Sequence, residues 1–115
     1  MKRPRFLAVL ALVAAAAIAL PIAIAASATS VSVTGKEYKF TLSKKSVRHG
    51  SVTFKFKNAG KLSHDFKIAG KQTKIITKGK SAAPLTVKLK KGSYKYICTI
   101  PGHTDKGMKG TLRVT

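Results

Sequence analysis

The chain is poor in two kinds of residue, cysteine and acidic side chains. Its 115 residues include one cysteine, Cys98, and three acidic residues against 23 lysines and arginines, which gives a net charge of +20. One cysteine cannot form an internal disulfide, and a lone thiol in an oxidising compartment is a liability unless something occupies it. The unpaired thiol is therefore a first indication of a bound metal. The charge imbalance indicates an anionic partner, surface or polymer.

The N-terminal segment has the features of an export signal. Three basic residues within the first five are followed by a charge-free apolar run from Phe6 to Ala26, and Ala26-Ser27-Ala28 offers small residues where a signal peptidase reads. We expect a signal peptide at residues 1–28, cleaved after Ala28, and one mature domain at residues 29–115. That domain would be periplasmic, on the cell surface or secreted.

An uncleaved membrane anchor over residues 6–26 is the alternative. The run is long enough to cross a bilayer, which takes about 20 residues, and Pro21 does not forbid spanning. Because the basic residues lie on the N-terminal, inner side, the domain is expected outside the cytoplasm with either reading.

After residue 28 the sequence lacks helical periodicity of useful length and alternates instead between apolar and polar residues. Seven short runs show this alternation: Val31–Val33, Tyr38–Leu42, Val52–Phe56, His64–Ile68, Leu85–Leu89, Tyr94–Cys98 and Leu112–Val114. Ile75 and Ile76 are candidates for a further short edge strand. The pattern predicts an all-β, antiparallel sandwich whose polar strand faces meet water.

Four side chains in this pattern could share one ion. His64 and Cys98 fall on the apolar faces of their strands, so both are expected to point inward, and His103 and Met108 follow Cys98 in one short loop. Two imidazoles and a thiolate in a plane, with a weak axial thioether, suit copper cycling between two oxidation states. The spacing therefore predicts one copper ion held by His64, Cys98, His103 and Met108.

Each residue alone has a plainer interpretation. A single histidine in a strand is usually a core or surface residue, a single cysteine is most often a small buried hydrophobe, and a single methionine usually belongs to the core. Their occurrence together at this spacing favours the ligand interpretation. Zinc is the main chemical rival, but methionine is a poor zinc ligand. His49 lies in a turn without partners and is interpreted as a surface residue.

Two segments resemble the small blue-copper, or cupredoxin, family, which includes plastocyanins, azurins, auracyanins and rusticyanin. The segment Gly92–Val114 is similar to the C-terminal half of these proteins, and Val52–Phe66 is similar to the part that carries their first histidine. The resemblance implies a Greek-key β-sandwich with His64, Cys98 and His103 as equatorial ligands and Met108 as axial ligand. The Cys-x4-His-x4-Met spacing is closer to auracyanin and rusticyanin than to plastocyanin.

One position departs from the family pattern. Many family members have asparagine directly after the first histidine, where it braces the ligand loop, whereas this chain has Asp65. We expect its side chain to accept a hydrogen bond from the loop, with Thr99 as the candidate donor, and its charge to lower the reduction potential.

The leading function is one-electron transfer between extracytoplasmic redox partners, without enzymatic activity, because protein fills all four expected ligand positions. His103, rimmed by Leu62, Ile100 and Pro101, is the expected electron port. We expect a monomer whose redox partners are acidic, or which works on an anionic membrane or wall surface.

Two other functions compete with electron transfer. A copper carrier or sequestration protein would use the same ligands but should have extra exposed methionine or histidine, and apart from Met108 only Met1 remains. A metal-free sandwich could bind acidic polymers through its lysines. No aromatic residues interleave with those lysines, so the sequence does not support nucleic-acid binding.

Overall fold

A computed structural model of the chain describes residues 28–115. This part contains nine strands: β1 (Thr29–Lys36), β2 (Lys39–Leu42), β3 (Ser46–Val47), β4 (Gly50–Asn58), β5 (Lys67–Ile68), β6 (Lys71–Gln72), β7 (Leu85–Leu89), β8 (Gly92–Ile97) and β9 (Lys109–Val114). Within the same residues no helix has the length and apolarity needed to cross a bilayer. The expected signal or anchor segment lies outside the described residues, except for Ala28.

The strands form two sheets, which confirms the predicted all-β sandwich. A four-stranded sheet has the order β2-β1-β4-β7, and a five-stranded sheet has the order β3-β9-β8-β5-β6. The sheets are mixed, because β1 pairs with β4 and β3 pairs with β9 in parallel. Period-two alternation identifies a strand and its buried face but says nothing about the direction of its neighbour, so the purely antiparallel expectation missed these two pairs.

The core lies between the inward faces of the two sheets. In β4, for example, Val52, Phe54 and Phe56 are buried while Lys55 and Lys57 are exposed. Burial of a side chain of this size stabilises the fold by about 1.5–3 kcal/mol. The alternation that predicted the strand therefore also identifies the face of the strand that is buried in the core.

Phe66 is the centre of an aromatic cluster in this core. Its ring is fully buried and lies 5.2–6.4 Å, centroid to centroid, from four other aromatic rings: Phe40, Phe54, Phe56 and Tyr96. Phe66 follows His64 by two residues along the chain. The packing of the core thus fixes the segment from which His64 projects.

Two further expectations about the strands need correction. The run His64–Ile68 forms ladder pairs only at Lys67 and Ile68, and His64 makes a single bridge to Ile76. Ile76 is therefore bridged, but Ile75 is 59% exposed and the short strand of this region is β6 instead. The two-residue strand β3 was not predicted, since it is too short to show a period.

Candidate metal centre

Three of the four predicted ligands converge at one end of the sandwich. His64, Cys98 and His103 are all buried, and one donor atom from each lies within 4.8 Å of the others. His64 Nδ1 is 3.2 Å from His103 Nδ1, and the Cys98 Sγ atom is 4.0 Å from the first nitrogen and 3.5 Å from the second. The two imidazoles thus turn their Nδ1 atoms toward the same sulfur.

The loop between Cys98 and Met108 is closed by its own backbone hydrogen bonds. Cys98 N–H donates to the Met108 carbonyl at 3.1 Å, and Met108 N–H donates to the His103 carbonyl at 3.0 Å. The Thr104 hydroxyl donates to the Cys98 carbonyl at 2.9 Å. Met108 is fully buried at the end of this loop, and the three other predicted side chains form the cluster.

Gly35, at the end of β1, leaves room for Met108. A Cβ atom at this position would lie 2.7 Å from the Phe56 ring and 3.2 Å from Met108 Cε. Only a residue without a side chain permits this approach of β1 to the methionine. We call the end of the sandwich at Gly35, Asn58 and Cys98 the metal end, and the end at Thr29, Gly50 and Gly92 the opposite end.

Asp65 braces the ligand loop as expected from its position after His64. Its side chain is fully buried, although strict alternation would have turned it outward. One carboxylate oxygen accepts from Thr99 N–H at 2.6 Å, and the other accepts a very short hydrogen bond from the Thr99 hydroxyl. The residue after the first histidine is thereby tied to the residue after the cysteine.

Asn58 has a structural role that was missed at the level of sequence. The side chain is fully buried, and its Nδ2 donates to the carbonyls of Leu62 and Ile76 at 2.8 and 2.7 Å. Its Oδ1 accepts from Gly60 N–H at 2.9 Å. Asn58 therefore joins the two segments that flank His64. The signal available in the sequence was a polar residue in phase with the buried side chains of β4.

Glu37 was also missed. Its Oε1 lies 2.9 Å from His64 Nε2 and accepts from the backbone N–H groups of Lys61 and Leu62 at 2.8 and 2.7 Å. The hydrogen bond from Leu62, supported by those from Lys61 and His64, holds the pKa of Glu37 at about 2 against the opposing effect of partial burial. The rarity of acidic residues was the only available signal, since the contacts join residues far apart in the chain.

Burial also sets the proton affinities of two predicted ligands. It raises the pKa of the Cys98 thiol, and burial followed by the His64 ring and Lys106 lowers the pKa of His103. A neutral imidazole keeps a lone pair for a metal, whereas the thiol must lose its proton when a metal binds. Two imidazole nitrogens and a thiolate, with the thioether that the sequence predicts from Met108, would form a soft donor set that fits copper better than zinc.

The predicted ligands differ in their access to solvent. His64 is fully buried, whereas His103 keeps 8% of its surface exposed and packs edge-on against Tyr38 at 5.2 Å between ring centroids. Large exposed hydrophobic residues in the described chain are Leu62 and Ile75, at 44% and 59% exposure. Both lie beside the segments that Asn58 holds, so the metal end carries an apolar surface.

Three solved structures share this fold. The reduced auracyanin of the photosynthetic bacterium Roseiflexus castenholzii is 21% identical with a TM-score of 0.65, over 76% of this chain and 98% of that one. Auracyanin A of the green thermophilic photosynthetic bacterium Chloroflexus aurantiacus, a "blue" copper protein, is 22% identical with the same TM-score and coverage. Reduced rusticyanin is 23% identical with a TM-score of 0.62, over 77% and 81% of the two chains.

Comparison at the level of sequence gives the family. No curated protein sequence matches the chain. The family model described as a cupredoxin-like domain matches residues 6–114, nearly the whole sequence. The match confirms the resemblance inferred from the segments around His64 and Cys98. The chain belongs to the cupredoxin-like domain family.

Proposed function

We propose that the protein binds one copper ion through His64, Cys98, His103 and Met108 and carries single electrons. The observation that carries this proposal is the convergence of two Nδ1 atoms and one Sγ atom, buried and within 4.8 Å of one another. Copper bound there supplies a reversible one-electron couple. The auracyanin and rusticyanin structures support the proposal through the shared fold.

The surroundings of the site suit electron transfer better than substrate chemistry. Hydrogen bonds donated by Asn58 and accepted by Asp65 and Glu37 hold the ligand segments in place. No buried side-chain nitrogen or oxygen atom in residues 28–115 lacks a partner. A rigid set of ligands needs little rearrangement when the oxidation state changes. Protein also fills the four proposed ligand positions, so no open position remains for a substrate.

Copper spectroscopy of the purified protein tests this function. Addition of copper(II) should give one bound copper per chain by mass spectrometry and an intense visible absorption from the Cys98 thiolate. Reduction should bleach the colour, and reoxidation should restore it without loss of copper. A protein that holds copper(II) and stays colourless would contradict the proposed ligand set.

Copper carriage is the second candidate, and the same protein can distinguish it. A carrier should release copper to a competing chelator in at least one oxidation state much faster than an electron carrier does. The buried side chains argue against easy release, since His103 is 8% exposed and the other three proposed ligands are at most 1% exposed. Slow release in both oxidation states, together with reversible redox cycling, would support electron transfer.

Docking of a redox partner is proposed at the metal end. Leu62 and Ile75 provide apolar contact there, and the exposed lysines Lys61, Lys106 and Lys109 surround it. Complementary charge accelerates encounter with an acidic partner, and apolar contact at His103 shortens the path for the electron. The opposite end is cationic as well and suits an anionic membrane or wall surface. The protein would act as a monomer outside the cytoplasm.

The start of the mature protein is a separate prediction. The first strand begins at Thr29, directly after the proposed cleavage site at Ala28. Intact mass and N-terminal sequencing of the native protein should show a chain that starts at or near Thr29. A mass that retains residues 1–28, found in the membrane fraction, would favour the anchor instead.

A further inference from the structure

We propose that Glu37 is a positioning residue of the metal centre, which holds the His64 ring with Nδ1 toward Cys98 and lowers the reduction potential of the bound copper. The inference rests on the proposed copper function. It concerns a residue outside the four ligands and outside the family motif quoted above.

The position of the Glu37 carboxylate is set by backbone groups of the loop after β4. Lys61 and Leu62 both donate their N–H groups to Oε1. Gly60 leaves the space that the carboxylate occupies, because a Cβ atom at this position would collide with it. The carboxylate therefore has a defined position that does not depend on the histidine.

The same oxygen fixes the orientation and tautomer of the His64 ring. The ionised carboxylate can only accept hydrogen bonds, so His64 Nε2 must be the donor across the 2.9 Å contact. Nδ1 then carries the free lone pair, and it faces Cys98 Sγ and His103 Nδ1. A carboxylate bound to the far nitrogen of a metal-ligating histidine also increases the basicity of the ligand.

Partial burial makes the charge of Glu37 effective at the metal. Its side chain is 24% exposed and its partner His64 is fully buried, so water screens the interaction less than it would at an open surface. A nearby negative charge stabilises copper(II) more than copper(I), because the former carries one more positive charge. Glu37 should therefore lower the reduction potential.

The three acidic side chains of the sequence allow matched substitutions that each remove one negative charge. Asp65 accepts hydrogen bonds from Thr99 and also acts on the Cys98 thiol, so it is not a suitable control. Asp105 is exposed in the ligand loop. Glu37→Gln keeps an oxygen that accepts from Lys61, Leu62 and His64, so it removes the charge while it preserves the hydrogen bonds. Asp105→Asn is the control for a charge near the site without contact to a ligand.

The test is a redox titration of copper-loaded full-length protein. Glu37→Gln should shift the ratio of copper(I) to copper(II) affinity at least tenfold toward copper(I), which raises the potential by about 59 mV for one electron. Asp105→Asn should change the ratio less than threefold. Equal shifts in the two variants would overturn the proposal, because they would reflect only general charge. No shift in Glu37→Gln would overturn it too.

Two further measurements keep the test decisive if Glu37→Gln folds poorly. Gly60→Ala leaves the charge of the chain unchanged but displaces the carboxylate, and it should raise the potential in the same direction. Nitrogen NMR of the metal-free protein should show His64 protonated at Nε2 in the wild type and a mixture of tautomers in Glu37→Ala. A wild-type His64 protonated at Nδ1 would refute the positioning role even if the protein proved not to bind copper. A wild type that is coloured, with variants whose reduction potentials are unchanged, would refute the role of Glu37 but leave the proposed copper function standing.

Discussion

The two ends of the sandwich use charge in different ways. All three acidic side chains of the sequence lie at the metal end, where Glu37 and Asp65 accept hydrogen bonds from the ligand segments. The opposite end presents exposed cations without a side-chain carboxylate among the described residues: Arg48, Lys88, Lys90 and Lys91. Two of the three carboxylates therefore hold the segments of the site, and most of the remaining surface is left with unbalanced positive charge.

The ends also differ in how they are held together. The metal end depends on buried polar groups, such as Asn58, Asp65 and His64, whose hydrogen bonds replace those that water would make. At the opposite end Val114 and Leu89 supply apolar burial, and His49 makes an exposed hydrogen bond to the Thr115 carbonyl. Substitutions should consequently affect the metal end more strongly and in more specific ways.

Cys98→Ser should give the largest difference between the ends. The hydroxyl cannot supply the thiolate, so the visible colour should disappear and copper affinity should fall by more than about 100-fold, which exceeds the loss expected for a partner of a ligand. The comparison is made by absorption and competition with a chelator. His49→Ala, which alters a histidine at the opposite end, should retain the colour. Retained colour in Cys98→Ser would rule out the thiolate.

Asn58→Ala should be the most destabilising of the substitutions that leave the ligands intact. It removes three hydrogen bonds and leaves the Leu62 carbonyl and the Gly60 N–H without these partners, while the Ile76 carbonyl still accepts from His64 N–H. The free energy of unfolding should therefore fall by about 2–4 kcal/mol. Urea unfolding of the metal-free protein measures this change. His49→Ala should cost less than about 0.5 kcal/mol. Similar losses in the two variants would remove the proposed contrast between the ends.

Met108→Gln should change the properties of the metal without removing it. A thioether is a weak ligand, so the variant should keep its colour while its reduction potential shifts. Voltammetry of the two proteins, with Lys109→Gln as the neighbouring control, checks the expectation. Complete loss of copper would show instead that the Met108 thioether is needed to hold the metal.

Charge reversal should give the smallest effects, and these effects should appear only in the rate of electron transfer. Lys106→Glu or Lys109→Glu should slow transfer to an acidic partner by a few-fold, more than Lys55→Glu or Lys88→Glu does. The wild-type rate should fall as salt rises, because the Debye length is only about 10 Å at 0.1 M. Stopped-flow kinetics measures both effects. Equal rates in the four charge-reversal variants, together with a wild-type rate that does not depend on salt, would argue against docking at the metal end.

The fold class and the cluster of His64, Cys98 and His103 could be predicted because both produce patterns in nearby residues of the sequence. Alternation in β4 and β8 marks buried faces, and Cys98, His103 and Met108 lie within one loop. The roles of Glu37 and Asn58 left no such trace. Glu37 meets His64 across 27 positions of the chain, and Asn58 meets Ile76 across 18. A carboxylate or an amide has many common uses, so its type alone does not identify its partner.

The parallel pairing of β1 with β4 has a consequence for how far the protein can reach. Thr29 pairs with Val52 at the opposite end, and Gly35 pairs with Asn58 at the metal end. A nine-residue strand such as β4 spans about 30 Å at the usual rise per residue. A chain still attached at residues 6–26 would keep the opposite end next to the bilayer, so the metal end could lie up to about that distance from it. Such a tethered protein would exchange electrons only with partners within this reach, whereas a cleaved one would be free to travel between distant partners.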